Sequence, residues 1–149
     1  PMVVRTPDAD FTLANFMRSH LYSAVATLKI GMDILLKEEH VAVDSLMGHG
    51  GFFKTPVVGQ RVMAAGMNAP ITVMDTASEG GAWGMALLAA YMLSKKDGQS
   101  LGDYLDSRVF AERKSETMEP DPSDVAGFET YTKQYQACLA AEKAAVQAF

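Results

Sequence analysis

The stretch Gly48-His49-Gly50-Gly51-Phe52-Phe53-Lys54-Thr55-Pro56 decides how the rest of the chain is read, because a short apolar run leads into it and a helical pattern leaves it. Glycines at a strand-to-helix turn let backbone N–H groups approach a ligand closely, and the N-terminal end of the following helix favours negative charge. A phosphorylated ligand is the first chemistry this suggests. Both common phosphate motifs fail. A P-loop needs Gly directly ahead of Lys-Ser/Thr, and Phe53 stands there before Lys54-Thr55. The dinucleotide fingerprint is met by Gly48 and Gly50 but has Phe53 at its last glycine position. Taken alone, the Gly-Gly turn fits a tight strand-to-helix connection as well as it fits a binding role.

Working outward, Val41 to Met47 is a short run whose second half reads as a buried strand ending at Gly48. Thr55 can cap a helix with Pro56 at its first position, and Val57, Val58, Val62, Met63 and Ala65 give it an apolar face up to a stop at Gly66. Asn68-Ala69-Pro70 is a turn, Ile71 to Met74 a second short strand, and Asp75 to Gly80 a polar loop. The helix that follows runs from about Gly81 through Met92, apolar almost all round, so it should be buried, with Gly84 serving packing. Strand and helix alternating in this order imply parallel strands joined by right-handed crossovers, which puts both loops on one edge of the sheet.

Upstream, apolar residues from Leu13 to Leu35 keep the three-and-four spacing of an amphipathic helix over about Thr12 to Glu39. Asp8, Asp10 or Thr12 can cap it, Lys37 suits its C-terminal dipole, and His20 reads as a partly buried helix residue rather than a ligand or base. Downstream, Lys95 to Ser123 reads as a surface connector with a short helix capped by Ser100. Asp124 to Phe149 regains helical spacing, with Tyr131 and Tyr135 as packing residues and Cys138 as an inert one. The expected organisation is therefore residues 1–94 as one α/β portion, 95–123 as connector, and 124–149 as a helix packing on it. Two short strands are too few to cover two long apolar helices. The chain also opens on Pro1-Met2 with no evident domain start, so a piece of a longer protein is expected.

The 149 residues, 48% hydrophobic and 21% charged, suit one globular domain with a core. A formal charge of -5 and a pI near 5.1 argue against an electrostatic nucleic-acid binder. The one cysteine, Cys138, permits no internal disulfide. No zinc spacing, signal segment or bilayer-length apolar run is present, so the expectation is a cytoplasmic protein without a membrane partner. Asp44, Asp75, Glu79 and His49 lie near the binding edge and read as solvated loop or cap residues.

Specificity comes from the segments taken together. His20-Leu21-Tyr22, then Gly50-Gly51 with Lys54-Thr55-Pro56 and Gln60, then Asn68-Ala69-Pro70-Ile71, then Glu79-Gly80-Gly81-Ala82-Trp83-Gly84 and the alanine-rich run to Ala90 resemble the closing part of the FGGY carbohydrate kinases. The resemblance covers Asp8 to Ala90, and the tyrosine-rich last helix is similar to the ribulokinase and xylulokinase branch. Aligned on Thr55-Pro56 the turn holds one residue more than is usual, Phe52-Phe53 replaces a small residue, and Thr27-Leu28 stands where many members carry Glu-Gly.

The resemblance implies an α/β fold: part of an actin-like, ribonuclease-H-like ATPase domain, with helices on a short parallel sheet and a helical C-terminus. By position, Gly50 and Gly51 would approach the ribose and phosphates of ATP or ADP, Phe52 and Thr55 would flank adenine, and Lys54 would add charge. The implied reaction is γ-phosphoryl transfer to a sugar such as ribulose or xylulose, with Mg²⁺. The family's catalytic Asp, sugar pocket and phosphate loops fall outside this stretch, so no catalytic residue is expected here and the piece alone should be inactive. A non-catalytic ATP-responsive or protein-interaction module on the same scaffold is the alternative, and a self-contained α/β domain with a packing turn is the third reading. Self-association is expected of uncovered apolar helix faces.

Overall fold

The computed structural model describes residues 2–75, 77, 80–111 and 114–148. The chain divides into two units, Pro1–Asp44 with Val62–Ala69 and Pro120–Phe149, and Ser45–Arg61 with Pro70–Glu119.

In the first unit, α1 spans Leu13–Asp33. Of the three candidate caps, Thr12 takes the role: its backbone is extended and its hydroxyl accepts a hydrogen bond from Asn15 N at 3.2 Å. A π-helical turn, Ile34–Glu38, finishes the helix, and His40 at φ 53° turns the chain away. Lys37 pairs with Asp33 at 2.9 Å, and Lys29, only 5% exposed, donates to the same carboxylate at 2.6 Å. Partial burial works to raise the Asp33 pKa, but the hydrogen bonds and positive charges of the two lysines outweigh it and hold the carboxyl below its usual range.

Helix α5, Pro122–Gln147, starts with Asp121 accepting from Ser123 N and Asp124 N and with Pro122 in the first turn. It packs on α1 through aromatic residues. Phe128 is fully buried with the Tyr22 ring 4.7 Å away, Tyr131 donates to Ser19 O at 3.2 Å, and the hydroxyls of Tyr135 and Thr27 share a hydrogen bond. The tyrosines therefore pack, as their spacing suggests. His20 differs from expectation: it is exposed, with its ring edge-on to Phe16 at 4.7 Å.

Helix α2, Val58–Met67, does not stop at Gly66. It ends at Asn68, whose φ of 48° is left-handed. Gly66 serves packing instead: a Cβ there would lie 2.7 Å from Val25 Cγ1 and 3.2 Å from the Phe128 ring.

The second unit carries the sheet, with β1 (Leu46–Gly48), β2 (Ile71–Met74) and β3 (Ser115–Met118) in spatial order β1-β2-β3. β1 pairs β2 in parallel with Leu46 opposite Ile71, as the alternation of strand and helix requires. β3 pairs β2 antiparallel, so the sheet is mixed rather than purely parallel. This strand lies inside the stretch read as connector. Its sequence Ser-Glu-Thr-Met has one apolar residue, and all but Met118 are exposed, so no hydrophobic alternation marks it. Backbone pairing and a 2.8 Å hydrogen bond between Thr72 and Thr117 hold it in place.

Helix α3, Gly80–Ser94, is not buried. Met85, Leu88, Met92 (76%) and Leu93 (90%) are exposed, and nothing lies within 4 Å of where a Gly84 side chain would stand. An all-round apolar pattern states what a helix needs covered, and the described residues supply cover on one side only. There the Trp83 ring meets Phe110 and the Tyr91 ring meets Tyr104 of α4, Leu101–Tyr104, which Ser100 caps. No helix among the described residues is long and apolar enough to cross a membrane.

Candidate functional site

β1 ends at Gly48, where the Phe53 ring lies so close that an added Cβ would run into it. Gly50 has φ 102° and ψ -177°, a conformation that is essentially closed to residues with a side chain. In that conformation its N–H donates to Ala77 O at 2.7 Å and its carbonyl accepts from Phe53 N at 3.1 Å. One 3-10 turn, Gly51–Lys54, follows, and Thr55 is extended after it. Thr55 is thus not the N-cap of α2, which begins three residues later at Val58. The cause is local. The Phe53 ring over Gly48 and the Phe52 carbonyl against Gly59 pin the turn, so Thr55, Pro56 and Val57 are used to reach the helix.

The two loops at the C-terminal ends of the parallel strands do meet. Besides the Gly50–Ala77 hydrogen bond, a Cβ on Gly80 would come 2.9 Å from His49 Nδ1, so the start of α3 lies against the glycine turn. Within the turn, Gly51, Lys54 and Thr55 are exposed, and Phe52 is half-buried with its ring edge-on to Phe53 at 5.7 Å. The two central glycines differ in kind. Gly50 is demanded by its own backbone, whereas Gly51 has nothing within 4 Å of its missing side chain and is not demanded by the described contacts. An open glycine on an exposed turn leaves room for a group from outside to approach the main chain.

Of the nearby polar residues, His49 and Asp44 are exposed, and Asp75 is exposed with its backbone N donating to Lys114 O at 3.3 Å. Glu79 lies outside the described residues. No group of three His, Cys, Asp or Glu side chains among the described residues could hold a metal. Two grooves of about 270 and 420 Å³ are lined by the segment after Met2 and by α1 and α5. Neither includes a residue of Gly48 to Thr55, and the Tyr131 and Tyr135 hydroxyls that face the smaller one are already hydrogen-bonded.

Two residues position the turn in ways the sequence alone did not assign. Gln60 is buried, and its amide donates to Glu116 O at 3.0 Å and Ile71 O at 3.4 Å, tying the start of α2 to β2 and β3. The signal is the helical spacing that puts Gln60 on one face with Met63, Ala64 and Met67, since a polar residue on an apolar helix face needs a buried partner. Val57 has φ 68°, which its identity gave no reason to expect.

The structure is similar to the xylulose kinase of Lactobacillus acidophilus, with TM-score 0.63, 19% identity, and coverage of 85% of this chain and 24% of that one. The gluconate kinase of the same organism gives 0.62, 18%, 85% and 24%, and the xylulose kinase of Rhodospirillum rubrum 0.61, 19%, 91% and 26%. The chain spans about a quarter of the length of these structures, and they share its fold: helices on a small mixed sheet, part of an actin-like ATPase domain. No curated protein matches the sequence. Residues 1–93 match the C-terminal domain of the FGGY family of carbohydrate kinases, so this chain belongs to that family.

Proposed function

We propose that this chain supplies the adenosine-binding wall of the nucleotide cleft in an ATP-dependent sugar kinase and is inactive alone. The observation that carries the reading is the turn at Gly50 and Gly51: one glycine fixed by its backbone, the next open to a visitor, both at the C-terminal edge of parallel strands, where α/β sheets bind ligands. In this reading the main chain of Gly50 and Gly51 takes the ribose and phosphates of ATP or ADP. Phe52 and Thr55 flank the adenine, and Lys54 adds positive charge beside it.

ATP supplies the γ-phosphoryl group, and these residues bind and orient it. The acceptor is a pentulose such as xylulose or ribulose, in keeping with the xylulose kinases among the structural relatives. In this reading Mg²⁺ is held mainly by residues outside this chain. The setting is cytoplasmic. Calorimetric titration of ATP into the complete kinase polypeptide tests the proposal: saturable binding is expected, and its absence overturns it.

The exposed apolar α3 favours a second reading, a non-catalytic ATP-responsive or interaction module. An upstream Asp-x-Gly-Thr-type phosphate loop and catalytic Asp in the complete reading frame would decide for the kinase, and their absence for the module.

A further inference from the structure

Pro56, Val57 and Val58 form a γ-turn between the glycine turn and α2. Val58 N donates to Pro56 O at 2.8 Å across Val57, whose φ is 68°, the rare and strained form of this turn. A β-branched residue is the least suited to a positive φ. Nothing in packing compensates for it, since Val57 is 54% exposed. Strain of this kind persists only where the surroundings impose it.

Here both flanks impose it. Upstream, the Phe53 ring over Gly48 and the Phe52 carbonyl against Gly59 fix the 3-10 turn. Downstream, Val57 O accepts the first helical hydrogen bond from Arg61 N at 2.9 Å, and Gln60 ties that first turn of α2 to the backbone of β2 and β3. Three residues must close the gap between two fixed ends, and the left-handed turn at Val57 is how they do so. Lys54 and Thr55 sit on the segment this closure holds.

We infer that Val57 is a positioning residue for nucleotide binding, acting through its left-handed backbone rather than through its side chain, which holds Lys54 and Thr55 where the ligand meets them. The inference rests on the proposal that this turn faces adenosine.

The test compares Val57→Gly, Val57→Asn and Val57→Pro in the complete polypeptide, reading the thermal midpoint and the ATP dissociation constant by calorimetry. Glycine and asparagine keep the left-handed conformation at lower cost. The glycine variant should therefore raise the midpoint by about 2 °C, and both variants should bind ATP within about twofold of the unsubstituted protein. Proline forbids a positive φ and should weaken ATP binding by roughly tenfold or more. If the proline variant fails to fold, the other two decide. A tenfold loss of ATP affinity in both glycine and asparagine variants would mean that the side chain matters, and a folded proline variant with undiminished ATP affinity would mean that the positive φ does not position the site. Either result overturns the inference while leaving the nucleotide site standing. Failure of the unsubstituted protein to bind ATP is visible before any substitution and overturns both.

Discussion

Replacing Gly50 by alanine gives the chain two ways to respond, and both cost about the same. It can keep φ 102° with a side chain attached, which costs about 1–3 kcal/mol. Or it can relax to a negative φ and give up the Gly50 N to Ala77 O and Phe53 N to Gly50 O hydrogen bonds, at roughly 0.5–1.5 kcal/mol each. Steric contact adds nothing, because no atom lies within 4 Å of the added Cβ. A destabilisation of about 2 kcal/mol follows on either route. Gly51→Ala is the matched control: exposed, with an equally open Cβ and no positive φ, it should change stability by less than about 0.5 kcal/mol. Urea unfolding of the two variants measures the difference. Hydrogen exchange at residue 50 identifies the route, since the amide stays protected if the turn is kept and exchanges fast if it opens. Equal stability of the two variants would refute the assignment of Gly50 as the conformationally constrained glycine.

Two further predictions concern the first unit. Phe128→Ala empties a fully buried site between Tyr22, Tyr131 and Gly66 and should cost about 3–5 kcal/mol by denaturant unfolding, whereas Val146→Ala near the exposed end of α5 should cost little. Asp33→Asn leaves the buried Lys29 without its carboxylate and should cost about 2 kcal/mol at neutral pH, discounted for the partial exposure of Asp33. The folded-state pKa of Asp33 is depressed, so its contribution is complete above the unfolded value near 3.9 and is lost as pH falls through the lower folded value. Unfolding curves of the two proteins should therefore converge in acid, and a difference that persists there would contradict the ion-pair account.

The helices were legible because their signals are local. Thr12 ahead of Leu13, Ser100 ahead of Leu101, and the apolar spacing of α1 and α5 each act within a few residues. β1 and β2 could be read from short β-branched or apolar runs bounded by glycine and proline. β3 could not, because its residues carry almost no apolar surface and its place is set by hydrogen bonds to a strand more than forty residues away in sequence. The same holds at the site. The glycines of the turn stand out in the sequence, but the roles of Gly48, Gly59 and Gly66 depend on which ring or carbonyl arrives from elsewhere. The late start of α2 and the strained γ-turn at Val57 follow from fixing both ends of a short segment, which no propensity encodes. Helix α3 is exposed despite its apolar pattern for a related reason: periodicity reports the apolarity of a helix, not whether its neighbours are present.

Titrating ATP into the complete polypeptide carrying Gly51→Leu reads whether the main chain at Gly51 faces a nucleotide, as proposed. An added Cβ has nothing within 4 Å of it and the turn is exposed there, so the unfolding midpoint should stay where it is. ATP affinity should fall by roughly tenfold or more. Undiminished ATP binding by a folded Gly51→Leu protein would contradict the claim.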